Sequence, residues 1–387
     1  TKLSGTALNA MLPYLREAYG NPSSLYSLGQ QAAEALAEAR QTVADCLHCR
    51  PEEIYFTSGG TEADNWALRG VAELMALKGR KGGHIITSAI EHHAVLHTLQ
   101  KLEKEGFTVT LLDVHETGRV TPQQVAEAIT DDTCLVTIMY ANNEIGTIQP
   151  IADIGRLCRE RNVLFHTDAV QAAGHLEIDV GREDIDMLSL SGHKFHCPKG
   201  VGALYVRKGI PLTPLIEGGA QERRKRAGTE NVAGIVGMAA ALKEACDHLP
   251  EHTAKVSALR DKLIDGLSKI PHCALNGDRE HRLPGNVNFC FEGIEGESML
   301  LLLDGKGICA SSGSACTSGS LDPSHVLLAI GRPHEVAHGS LRLTLCESNT
   351  EAEIDHILAC VPEIVAYLRG MSPVWRDLVE GKKSFIL

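Results

Sequence analysis

The residues best suited to chemistry in this chain follow predicted β-strands. Lys194 comes just after one strand, Asp168 ends a second, and His92 follows a third. Because ligands bind beyond the carboxyl ends of the strands in an open parallel sheet, we expect these side chains to share one site. A lysine whose surroundings depress its pKa can form a Schiff base with a carbonyl compound. Taken alone, Lys194 would more often be a solvated surface lysine.

A glycine-rich turn, Ser58-Gly59-Gly60-Thr61, leads from a predicted strand into a predicted helix. Exposed backbone N–H groups and the helix dipole allow such a turn to hold a phosphate. The same pattern is also common in tight β–α turns that bind nothing. It is not a Walker A motif, because no lysine is adjacent to Thr61.

Lys194, Asp168, His92 and this turn together favour one cofactor, pyridoxal 5′-phosphate. Lys194 would form the Schiff base, and the turn would hold the phosphate. Asp168 would pair with a protonated pyridine nitrogen, which keeps the ring an electron sink. Each signal is weak alone, and their occurrence at neighbouring strand ends predicts the cofactor.

The elements that position these residues alternate between short β-rich runs and helix-period stretches. Such alternation predicts right-handed crossovers and a mainly parallel, buried sheet, and therefore an α/β fold. The predicted strands are Glu53–Thr57, His84–Ser88, Phe107–Val114, Cys134–Ala141, Val163–Thr167, Asp186–Ser191 and Val201–Val206. The predicted helices among them are Glu62–Ala76, Ala94–Glu105, Gln123–Ile129 and Ile151–Arg161.

A second region begins near residue 250. A long helical pattern at Ala254–Ile270 leads to a strand-like Asn286–Phe291, a Ser/Gly-rich loop at Ser311–Ser320 and a final helix near Glu351–Leu368. We therefore predict a large domain over residues 1–250 and a smaller α+β C-terminal domain over residues 251–387.

Composition and charge exclude several classes of protein. The 387 residues include 37 Lys and Arg against 49 Asp and Glu, a formal net charge of −12, which argues against non-specific binding to nucleic acids or anionic membranes. No apolar run approaches the roughly 18 residues of a membrane span. Twelve cysteines without a secretory signal pattern indicate reduced thiols. We expect a soluble, cytoplasmic protein that binds neither nucleic acid nor membrane.

Six ordered segments carry a family pattern. They are residues 56–65, 141–150, 166–171, 191–196, 226–231 and 311–320, which include Ser58-Gly59-Gly60-Thr61, Asn142-Asn143-Glu144, His166-Thr167-Asp168, Ser191-Gly192-His193-Lys194, Gly228-Thr229-Glu230 and Ser314-Ala315-Cys316-Thr317. With these segments the chain resembles the cysteine desulfurases, nitrogen-fixation and iron–sulfur-cluster members of the class V aminotransferase family, over nearly its whole length. The resemblance implies the aminotransferase-like fold of pyridoxal-phosphate enzymes (fold type I).

The resemblance also implies roles around the cofactor. Lys194 would carry it and later act as general base, and His92 would stack on its ring. Asp168 would face the pyridine nitrogen. The phosphate would be held by Gly60, Thr61, Ser191 and His193, with Thr229 from the partner subunit of a homodimer, and the phenolic oxygen by Asn143 and Gln171. No metal ion is implied.

Further implied roles concern L-cysteine. Asn21 and Arg342 would bind its carboxylate, for which the planar fork of Arg342 is suited. Cys316 lies in a run of Ser, Gly, Ala and Thr that offers neither core nor regular structure, so its loop can be mobile. The resemblance implies that Cys316 takes the substrate sulfur as a persulfide and leaves L-alanine. An iron–sulfur scaffold or another acceptor protein would receive that sulfur.

Two alternatives stay open. One is a selenocysteine lyase or another pyridoxal-phosphate-dependent β-lyase or aminotransferase, against which the loop cysteine argues because transamination needs no such thiol. The other is a catalytically silent partner within a sulfur-transfer complex, against which the intact set of Lys194, Asp168, His92 and Cys316 argues.

The other cysteines have simpler interpretations. Cys46-Leu47-His48-Cys49 has the spacing of a metal or redox motif, but no second pair accompanies it, which favours an incidental loop. Small buried hydrophobes are expected at Cys134, Cys158, Cys246, Cys290 and Cys360, and a tolerated small side chain at Cys197. The family usually opens with a short strand that is missing here or lies upstream of Thr1.

Overall fold

Seven strands form one sheet in the first part of the chain. The computed structural model describes residues 1–313 and 323–387. The sheet has the order β1-β7-β6-β5-β4-β2-β3. Its strands are β1 (Ile54–Thr57), β2 (His84–Ser88), β3 (Thr108–Leu112), β4 (Thr133–Thr137), β5 (Leu164–Asp168), β6 (Met187–Ser191) and β7 (Gly202–Val206).

The direction of these strands brings the candidate residues to one edge. The pairs β2–β3, β2–β4, β4–β5 and β5–β6 are parallel, whereas β7 is antiparallel to both β1 and β6. β1 therefore runs in the same direction as β6. The segments that follow β1, β2, β5 and β6 all leave the sheet at its carboxyl edge, where ligands bind in such folds.

Helices cover this sheet because its strands are apolar on both faces. Every position of β2, β4, β6 and β7 is buried, the pattern of a sheet packed on both sides. Trp66, Leu68, Ile85, Leu135 and Leu204 belong to its core. The helices are α1 (Gly5–Arg16), α2 (Ser27–Cys46), α3 (Gly60–Leu77), α4 (His93–Lys104), α5 (Pro122–Ala128), α6 (Ile151–Glu160), α7 (Gln221–Arg224) and α8 (Val232–Asp247).

A smaller antiparallel sheet belongs to the rest of the chain, in the order β10-β9-β8. Its strands are β8 (Cys273–Leu275), β9 (Asn286–Phe291) and β10 (Ser340–Thr344). Leu263, Phe289, Leu341 and Val361 lie in the core beneath it. The helices are α9 (Leu249–Leu267), α10 (Gly296–Asp304), α11 (His325–Ala329), α12 (His334–Ala337), α13 (Glu351–Met371) and α14 (Pro373–Val379).

Backbone contacts divide the described chain into two units. Unit 1 comprises Thr1–Leu112, Thr121–Ala141 and Gln149–Leu249, and unit 2 comprises Asp113–Val120, Asn142–Ile148 and Pro250–Leu387. Two short segments from the first half of the chain therefore belong with unit 2. The domain ranges 1–250 and 251–387 stay a prediction.

All seven predicted strands of the first region are present, and the mainly parallel sheet confirms the α/β fold. The regular pairing of β4 ends at Thr137 rather than at Ala141. Beyond it, Ile138 and Tyr140 still donate their N–H groups to the carbonyls of His166 and Asp168. Asn143, expected at the end of this strand, lies instead in unit 2. The patterns above predict no helix at α1, α2 or α8.

Within the described residues, no single helix is both long and apolar enough to cross a membrane. The bent pair α13 and α14, which meet at 86°, passes that test only when taken together and only by length and composition.

Candidate active site

The glycine-rich turn has the geometry of a phosphate cradle. Gly59 has a φ of 152°, which glycine tolerates best, and α3 begins at Gly60. A Cβ on Gly60 would lie 2.5 Å from Val170 Cγ2 and 3.5 Å from Ser191 Cβ. The turn after β1 is therefore pressed against the end of β6, and Gly60 and Ser191 come together as predicted.

Glu62 holds this turn in place. Its carboxylate accepts hydrogen bonds from Ser58 N–H (2.9 Å) and from Ser58 Oγ. It also receives both Nε and Nη2 of Arg226, at 2.8 and 2.9 Å. Arg226 thus pairs with a carboxylate, while Lys225 donates to the Leu212 carbonyl and Arg223 to the Ile54 carbonyl. Most of the basic run Arg223–Arg226 therefore binds within unit 1.

Lys194 and His193 form a single 3₁₀ turn, Gly192–Lys194, directly after β6. Burial raises the pKa of the Asp168 carboxyl, and the charge of Lys194 offsets part of that rise. Burial, followed by the charge of Lys194, lowers the pKa of His193. Behind the turn, Cys197 is buried, and a Cβ on Gly192 would lie 2.7 Å from its Sγ. Burial raises the pKa of Cys197, which fits a small packing side chain.

Asp168 ends β5 in a buried position, with 5% of its surface exposed. Its Oδ1 accepts the Val170 N–H at 2.9 Å. Burial raises the pKa of Asp168, and this hydrogen bond together with the charges of His92 and Lys194 offsets part of the rise. A pyridinium group bound opposite Asp168 would add a further opposite charge and favour its ionised form.

A second buried carboxyl, Asp64 on α3, lies against Asp168. The two side chains are within hydrogen-bonding reach of each other, and Asp64 Oδ1 accepts no hydrogen bond from the protein. Burial and then the charge of Asp168 raise the pKa of Asp64 well above its usual value. Two carboxyl groups so close cannot both ionise. The raised pKa of Asp64 favours its protonated form, which can donate a hydrogen bond to Asp168.

His166, beside this pair, contributes no charge. Its Nδ1 lies 2.8 Å from Thr137 Oγ1 and its Nε2 lies 3.0 Å from Ser189 Oγ. Complete burial lowers the pKa of His166 to about 3, so the ring is neutral. Its 3.7 Å approach to Asp64 Oδ1 is consequently a contact between two uncharged groups.

His92 follows β2 and is the N-cap of α4, where its Nδ1 accepts the Ala94 N–H at 3.1 Å. This bond makes Nδ1 the acceptor and orients the ring. His92 and Thr61 line the same cavity, of about 380 Å³, together with Asn65 and His97. The structure thus brings together His92, Thr61, Asp168 and Lys194, as the sequence analysis predicts.

Three other predicted residues also belong to unit 1. Gln171 is half-buried in the turn after β5, and Thr229 is exposed between α7 and α8. Asn21 is exposed between α1 and α2, and its Oδ1 accepts the Ser23 N–H at 2.9 Å. Their predicted roles remain predictions.

Unit 2 gathers the remaining predicted residues. Arg342 on β10 donates from Nη1 to the Asn143 carbonyl at 3.1 Å. Its backbone also pairs with Ser311, with N–H···O distances of 2.6 and 3.1 Å. Ser324 Oγ donates to Glu144, and a Cβ on Gly313 would lie 3.1 Å from Ser324 Cβ. Both flanks of segment 314–322 therefore start beside Asn143, Glu144 and Arg342. Cys316 itself lies outside the described residues.

Comparisons with known proteins agree with this geometry. The family model described as aminotransferase class V matches residues 1–357. A cysteine desulfurase, IscS, of Clostridium botulinum is 56% identical over 380 residues, covering 97% of this chain and 95% of the relative. IscS of Methanosarcina thermophila is 56% identical over 374 residues, covering 97% and 92%.

The chain belongs to the cysteine desulfurase family. A solved NifS-like protein superposes with a TM-score of 0.89 at 40% identity, covering 95% of this chain and 97% of that one. The family resemblance, the aminotransferase-like fold and the identification as an enzyme are thereby confirmed. As a class V aminotransferase relative, the enzyme uses pyridoxal 5′-phosphate.

The residues present fit this cofactor. The desulfurase has a turn at Gly59 and Gly60 that a side chain would fill, a lysine directly after β6 and a buried carboxylate at the end of β5. These are the groups that a phosphate, an aldehyde and a pyridine nitrogen require.

Sequence reasoning overlooked Asp64, Glu62 and Arg226. The available signal for Asp64 was an acidic residue on the apolar face of a helix, between Ala63 and Trp66, both of which are fully buried. For Glu62 and Arg226 no local signal exists, since 164 residues separate them.

Proposed function

We propose that this desulfurase converts L-cysteine to L-alanine, with Cys316 as the thiol that receives the sulfur. The observation that carries the proposal is the set of Asp168, Asp64, His92 and Lys194 at one edge of the unit 1 sheet. Its residues can hold a pyridoxal phosphate with its ring nitrogen protonated. The cofactor, when bound, supplies the electron sink that makes a substrate Cα–H acidic.

Lys194 has two tasks in this proposal. Its Nζ carries the cofactor, and it then moves the proton at the substrate Cα. The hydrogen bond from Asp64 to Asp168 keeps a negative charge on Asp168 in a place that water does not reach. His92, oriented by the Ala94 N–H, covers the ring, and the N-terminus of α3 with Ser191 and His193 holds the phosphate.

Substrate binding and sulfur transfer are assigned to residues of other segments. Arg342, held at the Asn143 carbonyl, would bind the substrate carboxylate together with Asn21, and Asn143 and Gln171 would contact the cofactor's phenolic oxygen. The Cys316 thiolate would attack the substrate sulfur, whose bond to Cβ breaks, so that Cys316 becomes a persulfide. The described residues on both sides of Cys316 support this assignment, because Ser311 pairs with Arg342 and Ser324 donates to Glu144.

The partners follow from the same proposal. We infer a homodimer in which Thr229 reaches the phosphate of the partner subunit, and an iron–sulfur scaffold or another acceptor protein as recipient of the sulfur. The exposure of Thr229 leaves it free to meet a partner subunit, and the relatives' name, cysteine desulfurase, supports a protein that passes sulfur on. A cytoplasmic location fits the eleven described cysteines, all of which are free thiols.

Product analysis tests the proposal. The pure protein is incubated with L-cysteine, pyridoxal phosphate and a thiol reductant, and alanine and sulfide in equal amounts are expected. Cys316→Ala should abolish both products, whereas Cys309→Ala, a change at another loop-proximal cysteine, should not. Pyruvate and ammonia as products would instead indicate β-elimination, and full activity of Cys316→Ala would remove the persulfide step.

A further inference from the structure

Two cysteines that are far apart in sequence meet in unit 1. Cys46 is the last residue of α2, and Cys246 lies in the last turn of α8. Both thiols line one cavity of about 360 Å³, and each is close enough to influence the pKa of the other. Both thiols are half-buried, so a small molecule in the cavity can reach them.

In the sequence, the spacing of Cys46-Leu47-His48-Cys49 suggests Cys49 as the partner of Cys46. Cys46 and Cys49 have the spacing of a redox pair, yet the groups that act on Cys49 are Glu53, Asp45 and Glu52 rather than Cys46. In the tertiary structure the neighbour of Cys46 is therefore Cys246 on α8, not Cys49, which is close in sequence.

The two thiols differ in acidity. The interaction with Cys46 lowers the pKa of Cys246; burial and the charge of Asp247 act against this effect, whereas the Lys243 ammonium one turn earlier on α8 adds to it. The interaction with Cys246, together with burial, raises the pKa of Cys46. A more acidic thiol with a second thiol beside it is the arrangement of an attacking and a resolving cysteine.

A metal site does not explain the pair. Within residues 1–313 and 323–387, neither Cys46 nor Cys246 belongs to a group of three or more ligands close enough to share one ion.

We propose that Cys46 and Cys246 form a redox-active dithiol that a small persulfide oxidises to an intramolecular disulfide. Persulfides are the oxidant class because the proposed function of this enzyme generates them. The pair would then be oxidised when persulfide accumulates because no acceptor protein has removed the sulfur.

The reaction balances in two steps. The Cys246 thiolate attacks the terminal sulfur of a persulfide R–S–SH, the S–S bond breaks, and R–SH leaves while Cys246 carries –S–SH. The Cys46 thiolate then attacks Cys246 Sγ, the Sγ–S bond breaks, and hydrogen sulfide leaves. In sum, two thiols and R–S–SH give one disulfide, R–SH and H₂S, and two electrons pass from the dithiol to the terminal sulfur.

Peptide mapping tests this proposal without any turnover. The full-length, cofactor-loaded protein is treated with glutathione persulfide in the absence of L-cysteine, its remaining thiols are alkylated, and a non-reducing digest is analysed by mass spectrometry. We expect a cross-linked peptide that contains Cys46 and Cys246, which dithiothreitol removes. Cys46→Ser and Cys246→Ser should lose this peptide, and the matched control Cys49→Ser should retain it.

A second readout follows the same samples. The new disulfide links residues 46 and 246 and so restricts the unfolded chain, and we expect treated wild-type protein to unfold at a higher temperature until reductant is added. Cys246→Ser should show no such rise. Three outcomes would overturn the proposal. Wild-type protein treated with persulfide could show a Cys46–Cys49 cross-link, or no cross-link of Cys46 at all. Alternatively, the Cys46–Cys246 cross-link could form with hydrogen peroxide but not with persulfide. Loss of desulfurase activity would not affect it, since added persulfide replaces turnover.

Discussion

At the scale of single residues, the least expected feature is the pairing of two buried carboxyl groups, Asp64 and Asp168. The pKa of both carboxyls is raised by burial, and no described donor reaches Asp64 Oδ1. A carboxylate opposite a pyridine nitrogen must keep its charge, and a neutral acid beside it provides a hydrogen bond without adding a second charge. Asp64 is therefore a positioning residue for Asp168.

Two substitutions of Asp64 should show whether its hydrogen-bond donor, rather than the volume of its side chain, supports Asp168. Asp64→Asn keeps a donor and should bind pyridoxal phosphate nearly as well as the wild type. Asp64→Ala loses the donor, which we expect to weaken cofactor binding by about 10-fold, since a hydrogen bond to a charged group contributes about 1.5–3 kcal/mol. Equilibrium titration of the apoprotein with the cofactor measures this. Equal affinity of Asp64→Ala and wild type would contradict the assignment.

Lys194 is the residue whose loss should end catalysis without unfolding the protein. Lys194→Ala should keep the circular dichroism spectrum of the wild type and lower turnover of L-cysteine by at least about 100-fold, the contribution typical of a general base. Lys199→Ala is the matched control, because Lys199 is an exposed lysine five residues later. Normal turnover in Lys194→Ala would refute the Schiff-base role.

At the scale of elements, the start of α3 determines whether a phosphate can bind. The turn is held from two sides: Glu62 bonds Ser58 and Arg226, and Gly60 packs on Val170 and Ser191. The approach of α3 to the end of β6 thus depends on the absence of a side chain at residue 60.

Gly60→Ala should disturb this approach. The new Cβ would lie 2.5 Å from Val170 Cγ2, and such overpacking costs about 1–3 kcal/mol. We expect weaker cofactor binding and a lower free energy of unfolding. Gly370→Ala on α13 serves as the control, because a Cβ there meets no atom within 4 Å and should stabilise the helix by about 0.5–1 kcal/mol. Urea titrations of both variants make the comparison.

At the scale of the whole molecule, buried ionisable groups make stability depend on pH. Burial lowers the pKa of His166 to about 3, so between pH 6.5 and 3 the unfolded chain binds a proton at this position that the folded chain does not. Stability from His166 is complete above pH 6.5 and is lost as the pH falls. Glu91 acts in the opposite direction, because burial raises its pKa to about 8.

A difference measurement isolates the contribution of His166. The free energy of unfolding of wild-type protein minus that of His166→Asn should shrink by about 1.4 kcal/mol between pH 7.5 and pH 5.5. Urea unfolding at both pH values tests this. A difference that stays constant would show that folding does not shift the pKa of His166, and would contradict this prediction.

The sequence by itself determined much of this protein. Short β-rich runs between helix-period stretches predicted all seven strands of the large sheet. The signal is clearest in β2, β4, β6 and β7, where every position is buried, since strands covered on both faces are rich in apolar residues. The sequence also marked Gly60, Asp168, Ser191, His193 and Lys194 at strand ends, since strand ends in an open sheet meet at one edge. The sequence patterns predicted no helix at α1, α2 or α8.

Tertiary structure alone decided the rest. It placed Asn143 with unit 2, because the hydrogen bonds of this segment to β5 continue only as far as Tyr140. It brought Glu62 to Arg226 and Cys46 to the same cavity as Cys246, pairs separated by 164 and 200 residues. It also raised the pKa of Asp64 by burying it beside Asp168. Local patterns carry propensity and periodicity, whereas contacts between distant segments and the pKa values of buried groups depend on which surfaces pack together.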